Sequence, residues 1–462
     1  MTITRMHAFL GRVRRAMRQL TQPVPNEKRR IMRARWDALD PRWRTVGQGF
    51  GRQATGCGAT IGLHPRCDFA CAGCYLGSEA NRVRPIGRPD AFQQLDRLRA
   101  WLGPKGNTQI TDGEVTLLPP DDLVAIIRYA RQIGLIPMVM SHGDTFRRCR
   151  GLLERLMVEG GLTEVSFHID TTQRGRHGYR ASADESALTP LREECAAMIR
   201  EARRTTGLPL RAATTLTVTR DNLPGIAAVV EWCLRNRDAF GMLSFQPVAQ
   251  VGRTDAALPG ITVEELWAAI GDVLGRYGCR RRAPGPLTFG HPDCTRVEMV
   301  AVVERTGCPP RVVPIIREDQ PKDTEMLQAF FDRGLGGINF RDDSRLDRVC
   351  RAIGAFGIAP FWCLGPLRRW SLERLDDFNV HPLRLAWEAA RGRLSVGGFS
   401  VVSHHFMSAT ELHTPLGQER LDACVFRVPV GLDLVPMCQV NAGGIRTTFY
   451  ATEHAHRSQQ PL

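Results

Sequence analysis

Short apolar runs and amphipathic stretches alternate along residues 55–250. The apolar runs have the length and continuous hydrophobicity of strands that are buried on both faces of a sheet. The predicted strands are Ala59–Leu63, Gln109–Thr111, Ile136–Ser141, Glu164–Asp170, Leu210–Val218 and Met242–Val248. Apolar positions at helical spacing lie between them, at Pro89–Leu102, Asp121–Ile133, Gly151–Val158, Leu191–Arg203 and Leu223–Leu234. This alternation predicts an α/β fold with a parallel sheet, arranged as a partial (β/α)6 barrel of the TIM type.

Two further segments flank this core, which we place at residues 51–280. Within residues 1–50, apolar positions recur at near-helical spacing in a basic stretch, which predicts an amphipathic helix over residues 4–20 in a basic helical extension. A loop rich in Arg, Pro and Gly over residues 280–286 predicts a domain boundary. We expect residues 281–462 to form a C-terminal α+β domain.

The positive charge of the chain is concentrated at its N-terminus. The net charge is +14, and residues 1–50 alone carry a surplus of +9, so the rest of the chain is nearly neutral. A basic amphipathic helix within residues 1–20 suits peripheral contact with an anionic membrane. The alternative, which we favour, is a helix that docks on the barrel with its arginines in water. This distribution does not predict binding to DNA.

Targeting signals are missing from the sequence. It contains no apolar run of 18 residues, and no apolar segment follows Arg12, Arg14 and Arg15 to complete a signal peptide. We therefore expect a cytoplasmic protein. Its 14 cysteines would be reduced there, so cysteines that cluster in sequence predict metal ligands rather than disulfides.

One group of cysteines is tightly spaced. Cys67, Cys71 and Cys74 stand at C-x3-C-x2-C spacing, and Tyr75 follows the third. A short loop can wrap three thiolates around a single inorganic cluster, and soft thiolates suit iron–sulfur chemistry. Three ligands on a four-iron cluster would leave one iron open to an outside molecule. The alternative is a zinc knuckle, although zinc sites of that kind bring a second Cys or His pair, and no second pair lies nearby.

This loop resembles the cluster loop of radical S-adenosylmethionine (SAM) enzymes. The resemblance covers roughly residues 55–250 and implies a [4Fe-4S] cluster on Cys67, Cys71 and Cys74 whose open iron binds SAM. In that family an electron from the cluster cleaves the sulfonium and yields a 5′-deoxyadenosyl radical. The resemblance also implies an electron donor such as ferredoxin or flavodoxin. Tyr75 stands where the family places a residue against the adenine.

The segment after the second predicted strand carries the same resemblance. Thr111–Pro119 is similar to the family's Gly-Gly-Glu-Pro segment, which binds the SAM amino group. A glycine at Gly113 permits close approach to a ligand, and Glu114 can accept hydrogen bonds from an ammonium group. Asp112 replaces the first glycine of the pattern and Val115 replaces the proline. The resemblance implies that residues 112–114 bind the cofactor.

Two more strand ends match the family. Ser166–Asp170 resembles the Ser-Leu-Asp strand end that contacts SAM, with His168 at the serine position and Asp170 at the aspartate position. Phe245–Pro247 resembles the segment over the adenine, which implies a contact from Gln246. Polar residues of this kind inside a barrel need partners. A structural His–Asp pair is the alternative for His168 and Asp170.

Residues 291–295, 402–407 and 424–441 resemble the C-terminal half of a radical SAM subgroup that includes tetraether lipid synthase and a pterin methylase. The resemblance implies a possible second iron–sulfur cluster on Cys294, Cys424 and Cys438, completed by Cys308 or Cys363. A predicted hairpin over residues 425–437 would bring Cys424 and Cys438 together. The alternative is that these cysteines are buried packing residues.

The resemblance therefore implies a radical SAM enzyme whose substrate is not identified. Two alternatives stay open. One is a non-catalytic iron–sulfur or zinc protein that binds a partner through its basic N-terminus. The other is a radical SAM enzyme that modifies RNA, although no aromatic-rich RNA-binding module accompanies the basic N-terminus.

Overall fold

A computed structural model describes residues 25–44, 47–48, 55–180, 184–254, 258–279, 285–317, 320–321, 323, 325 and 382–458. The predicted helix over residues 4–20, most of the predicted boundary loop and Cys363 lie outside these residues. Within the described part of the chain, no helix combines the length and the apolar character that a membrane span requires.

Six parallel strands form the centre of one sheet. They are β1 (Cys57–Ala59), β2 (Asn107–Ile110), β3 (Ile136–Ser141), β4 (Glu164–His168), β5 (Arg211–Val218) and β6 (Phe240–Pro247). Each strand pairs in parallel with the next, so the order across the sheet is the order along the chain. The predicted α/β class and parallel sheet are thereby confirmed.

Helices connect the central strands, and further helices precede and follow them in the chain. The helices are α1 (Asn26–Ala38), α2 (Arg88–Leu102), α3 (Pro120–Gln132), α4 (Asp144–Arg148), α5 (Leu152–Gly160), α6 (Thr189–Thr206), α7 (Ile226–Arg235), α8 (Val263–Arg276), α9 (Pro382–Ala390), α10 (Pro415–Asp422), α11 (Met437–Ala442) and α12 (Ile445–Ser458). In α3, the buried Leu123, Ile127 and Ala130 recur at helical spacing on the face towards the sheet. A capping box between Thr262 and Glu265 begins α8.

Strands from residues 287–436 extend both edges of this sheet. They are β7 (Leu287–Thr288), β8 (Thr295–Arg305), β9 (Arg311–Pro314), β10 (Leu394–His404), β11 (Phe426–Val430) and β12 (Asp433–Pro436). Of these, β10 joins β6 and β11 joins β1, both in parallel. The described residues therefore contain a run of eight parallel strands. The domain boundary near residue 280 stays a prediction, and the sheet is continuous across it.

The sheet is curled, as is shown by residues from both of its sides that line a common cavity. Cys57 of β1 and Phe426 of β11 face Met242 of β6 and Ser400 of β10 across this space. The curled sheet is compatible with the predicted partial barrel. The predicted hairpin of residues 425–437 is confirmed, since β11 and β12 pair antiparallel.

The first strand ends earlier than predicted. The prediction was Ala59–Leu63, whereas β1 ends at Ala59. The side-chain amide of Gln94 takes over both main-chain groups of Ile61, accepting from its N–H at 2.9 Å and donating to its C=O at 2.7 Å. Gly62 then turns the chain with φ of 77°. The Gln94 side chain thus replaces the main-chain hydrogen bonds that a neighbouring strand would have given Ile61.

Candidate metal and cofactor site

A cavity of about 190 Å³ lies where the carboxyl ends of the central strands meet the cysteine loop. Polar side chains from the ends of β3 to β6 and from the segment after β2 contribute to its wall: Glu114, His142, His168, Thr215, Thr217 and Gln246. Barrel proteins place functional residues at the carboxyl ends of their strands. The location of this cavity is therefore that of a functional site.

The three predicted cluster ligands all line this cavity: Cys67, Cys71 and Cys74. Main-chain hydrogen bonds fix the loop that carries them. The amide of Ala70 donates to the carbonyl of Arg174, and the amide of Ala72 donates to the carbonyl of Thr172, both at 2.9 Å. The loop is therefore attached to the segment after β4, and its three thiols converge on one space.

Phe69, in the middle of the loop, lies between two neighbours. Its ring stacks on His142 with centroids 3.8 Å apart, and the Arg176 guanidinium lies 5.0 Å from its centroid. Arg176 also donates to the main-chain carbonyls of His142 at 2.8 Å and His168 at 3.1 Å. These contacts tie the loop to the ends of β3 and β4, so the thiols are held in place by rigid elements.

The protonation of the thiols depends on what lies against them. Burial raises the pKa of Cys67 to about 12, and burial also raises the pKa of Cys71. Thiols whose pKa is raised in this way are neutral at pH 7. A coordinated metal reverses this, because a thiol that binds a metal loses its proton. The donor set therefore fits a metal centre that compensates the thiolate charge.

Gly113 packs directly against the chain that leads into the cysteine loop. Its amide donates to the carbonyl of His64 at 2.9 Å, and the amide of Glu114 donates to the carbonyl of Arg66 at 2.8 Å. A Cβ atom on Gly113 would lie 2.3 Å from the Arg66 carbonyl oxygen. Only glycine fits here, and the two predicted binding segments are thereby locked together.

The Glu114 carboxylate is buried and aimed by three hydrogen bonds. It accepts from the Thr116 hydroxyl at 2.5 Å, from the Thr116 amide at 3.2 Å and from the His142 amide at 2.8 Å. An ionised carboxylate has about four acceptor sites. Nε2 of His142 also lies 3.2 Å from Oε2 of Glu114, so most of the acceptor capacity of this carboxylate is used within the protein.

Asp112 lies in a buried network with the C-terminal helix α12. Its carboxylate accepts from the amide of Gly62 at 2.6 Å and from Arg446 and Tyr450. Tyr75 donates its hydroxyl to the main-chain carbonyl of Asp112, and its ring lies 4.7 Å from the Arg446 guanidinium. Burial raises the pKa of Asp112, and the charge of Arg446 opposes that rise. Both carboxylate oxygens of Asp112 are thus used within the protein.

Sequence reasoning missed Arg446 and Tyr450. Their i, i+4 spacing places them on one face of α12, which was an available signal. Nothing in the sequence, however, connects that face with Asp112, because the two segments are joined only by the fold.

His168 and Asp170 form a contact at the end of β4. Nε2 of His168 lies 2.7 Å from Oδ2 of Asp170 and 3.0 Å from the Thr217 hydroxyl. Asp170 also accepts from the amides of Thr172 at 2.7 Å and Thr217 at 2.8 Å. Burial would raise the pKa of Asp170, but His168 and these hydrogen bonds lower it to about 2. The pair fixes the His168 ring at the cavity wall.

Gln246 lies on β6 and lines the same wall. Its register partner on β5 is Thr217, the residue that also contacts His168. Side chains from three neighbouring strands therefore form one polar surface of the cavity that the cysteine loop also lines.

A second donor set overlaps the cysteine loop. One ligand atom each from Cys67, Asp68 and His142 lies within 4.8 Å of the others. Nε2 of His142 is 2.8 Å from Oδ1 of Asp68. Sulfur, oxygen and imidazole donors suit zinc, so the zinc alternative has a geometric basis.

The three predicted ligands of a second cluster line another cavity, of about 380 Å³: Cys294, Cys424 and Cys438. It shares wall residues with the first cavity, including Phe406 and Met437. Cys308 is not among the described residues that line it. Cys363 lies outside the described residues. The fold thus brings together three cysteines that are far apart in sequence.

Fold and site together define an α/β protein with a curled parallel sheet and a three-cysteine loop at the carboxyl ends of its strands. No family model and no curated protein matches the chain. Among solved structures, Streptococcus suis SuiB bound to S-adenosylmethionine is similar at 14% identity and a TM-score of 0.37, over 52% of this chain and 50% of SuiB. The structure of anSMEcpe with bound AdoMet is similar at 10% identity and a TM-score of 0.36, over 66% of this chain and 96% of that one. The match thus spans about half of SuiB.

Proposed function

We propose that this protein is a radical SAM enzyme with an unidentified substrate. The observation that carries the proposal is the convergence of Cys67, Cys71 and Cys74 with the Gly113–Glu114 segment on one cavity at the carboxyl ends of the strands. Cys67, Cys71 and Cys74 would hold a [4Fe-4S] cluster, which with SAM bound would supply one electron for cleavage of SAM to methionine and a 5′-deoxyadenosyl radical that would abstract hydrogen from the substrate.

The residues of this chain would hold the cofactors in place. The three thiolates would bind the cluster, and Glu114 at the cavity wall would accept from the ammonium group of SAM in exchange for its contact with the His142 ring. His168 and Gln246 offer donors and acceptors at the wall of the same cavity. The buried Asp112 and Asp170 would act through their neighbours, Asp112 by fixing Tyr75 and Asp170 by fixing His168.

The wall of the cavity would also help to keep water from the chemistry. The ring of Phe69 lies between His142 and Arg176 and closes one side of the cysteine loop. A protein with a reactive cofactor contributes mainly by binding, orientation and exclusion of competing reactions. Rigid attachment of the cysteine loop to β3 and β4 would contribute to binding, to orientation and to exclusion of competing reactions.

The proposal includes a second iron–sulfur cluster on Cys294, Cys424 and Cys438. It also includes an electron donor of the ferredoxin or flavodoxin class and a cytoplasmic location. Docking of the basic N-terminus is favoured over membrane contact, and both concern residues outside the structure. No described feature favours RNA over another substrate.

A non-catalytic zinc protein is the second candidate. It is favoured by one observation, the donor set of Cys67, Asp68 and His142 within 4.8 Å. This set and the three-thiol set share only Cys67. Metal content therefore separates the two candidates.

The test is anaerobic reconstitution with iron and sulfide, followed by incubation with SAM and a strong reductant. We expect 5′-deoxyadenosine and methionine as products. Cys71→Ala should abolish their formation, because it removes one of three ligands. Cys149→Ala is the matched control, since Cys149 is exposed and lies outside the cavity. Protein that binds zinc without iron and leaves SAM intact would support the zinc candidate instead.

A further inference from the structure

Four thiols, and not three, line the larger cavity. Cys57 of β1 faces the same space as Cys294, Cys424 and Cys438. No motif spacing connects Cys57 with the other three cysteines, and it precedes the cysteine loop in sequence. Only the pairing of β1 with β11 brings it to this position.

The strand register places Cys57 beside Cys424. Cys57 pairs with Phe426, and its amide donates to the carbonyl of Val425 at 3.1 Å. Cys424 lies two residues before Phe426, a spacing that keeps its side chain on the same face of an extended chain. Its Sγ atom lies 3.2 Å from the carbonyl oxygen of Phe426. The two thiols therefore enter the cavity from neighbouring positions.

The segment after β10 holds the other two cysteines. The amide of His405 donates to the carbonyl of Cys294 at 2.8 Å, and the amide of Met407 donates to Sγ of Cys438 at 3.4 Å. An N–H aimed at sulfur stabilises a thiolate and is a feature that tunes iron–sulfur centres. One short segment thus links Cys294 with Cys438 at the cavity wall.

A buried cation lies next to these thiols. Nε of Arg420 donates to Sγ of Cys294 at 3.4 Å, and its Nη2 donates to the carbonyl of His405. Arg420 is only 6% exposed. A buried charge needs an opposite charge close by, and thiolates ligating a metal centre would provide it together with Glu411, which lies 3.4 Å from Nη1.

The cavity wall also carries a polar atom without a partner. Nε2 of His291 is buried and has no hydrogen-bond partner among the described residues, although Nδ1 accepts from the amide of Asp293 at 3.2 Å. The side chain is 2% exposed and lines the cavity. Buried polar atoms are normally satisfied, so this one points to an occupant of the cavity.

The spacing of the thiols argues against a single metal ion. In the described part of the chain, no three of these four sulfur atoms lie within 4.8 Å of one another. Tetrahedral zinc with Zn–S bonds of about 2.3 Å needs sulfur atoms about 3.8 Å apart. A four-iron cluster binds each thiolate at a different iron, so it can bind sulfur atoms that lie further apart than those of a zinc site.

We infer that Cys57, Cys294, Cys424 and Cys438 are the four ligands of an iron–sulfur cluster in this cavity. The inference builds on the second cluster of the proposed function and adds Cys57 as its fourth ligand, in place of Cys308 or Cys363. Four protein ligands leave no iron open. The cluster would therefore exchange electrons and would not bind substrate.

The test uses the full-length Cys67→Ala/Cys71→Ala/Cys74→Ala variant, which lacks the loop ligands. After anaerobic reconstitution it should retain about four iron and four sulfide per chain. Adding Cys57→Ala should lower the retained iron at least twofold or change the electron paramagnetic resonance spectrum of the reduced cluster. Cys233→Ala in the same background is the matched control, because Cys233 is fully buried in the core. Circular dichroism confirms that each variant is folded.

Three results would overturn the inference. The first is a folded triple variant without iron, and the second is one that binds a single zinc without sulfide. The third is retained iron with the same content and spectrum after Cys57→Ala. None of these depends on SAM cleavage, so failure of the radical SAM proposal is seen separately, in the wild-type protein.

Discussion

The two thiol sites are built in opposite ways. Cys67, Cys71 and Cys74 lie on one loop, whereas the four-thiol site takes one cysteine each from β1, the turn before β8, the start of the β11 hairpin and α11. Local spacing alone defines the first site. The second exists only because the C-terminal strands join both edges of the sheet.

The contrast is not complete, because the loop site also depends on a distant segment. Arg446 on α12 contacts Asp112, and Asp112 holds Tyr75 through its main-chain carbonyl. The loop site therefore combines local ligands with a remote support. Variants that remove the support or the local fit separate these two contributions.

The largest effect is expected for Arg446→Met. This change leaves the Asp112 carboxylate buried without its cationic partner, which costs about 3–5 kcal/mol of unfolding free energy. Chemical denaturation measures the loss. Iron bound by the cysteine loop should fall as Tyr75 and Asp112 lose their position.

Two further variants show whether charge is the cause. Combining Arg446→Met with Asp112→Asn removes both charges and should recover part of the lost stability. Arg33→Met is the control, because Arg33 forms an exposed i, i+4 pair with Asp37 that contributes less than about 1 kcal/mol. An Arg446→Met protein as stable as the parent would show that the remote support is unimportant.

A smaller effect is expected for Gly113→Ala, which disturbs the local fit. The new Cβ atom would press against the main chain at Arg66, an overpacking that costs about 1–3 kcal/mol. Because the segment around Gly113 moves, the free energy of SAM binding, measured by calorimetry, should fall by more than the free energy of unfolding. At Gly241 an added Cβ meets nothing within 4 Å, so Gly241→Ala should leave SAM binding unchanged. Equal SAM affinity in both variants would contradict the close packing at residue 113.

Sequence patterns predicted most of the sheet because the hydrophobic pattern within a single segment indicates a strand or a helix. The bounds of β3 match the prediction, Ile136–Ser141, and the predicted hairpin of residues 425–437 was also found. The loop cysteines were predicted from spacing alone. These features share one property, which is that all the residues concerned lie close together in the chain.

Several missed features depend on contacts between distant segments, whereas β8 and β9, which were also not predicted, pair as neighbours in sequence. The Gln94 side chain ends β1 by binding Ile61, and Arg446 binds Asp112. Cys57 was missed for the same reason, since its partner strand β11 lies at the other end of the chain. Periodicity and spacing contain no information about such pairs.

Acid should lower the free energy of unfolding through Asp170, the residue that fixes His168 at the cavity wall. Its pKa is about 2 in the folded protein, below the ordinary value of about 3.9, so the unfolded chain binds the proton more readily. The stabilisation is present above pH 4 and is lost as the pH falls towards 2. Urea denaturation at several pH values should show this slope, and Asp170→Asn should reduce it. An unchanged slope in Asp170→Asn would assign the acid sensitivity to other carboxyl groups.

The smallest effect is expected for a cysteine that belongs to neither site. Cys195 on α6 is fully buried in the core, and burial raises its pKa to about 12. Cys195→Ala removes only packing and should cost about 1 kcal/mol, as for other small losses of buried volume. Iron content and SAM cleavage should not change. The same substitution at Cys57 should remove iron from the four-thiol site, so the two variants differ in metal content at a similar packing cost. Iron lost equally from both would mean that iron content follows general stability, and the distinction between ligand and packing cysteines would then have to rest on spectra alone.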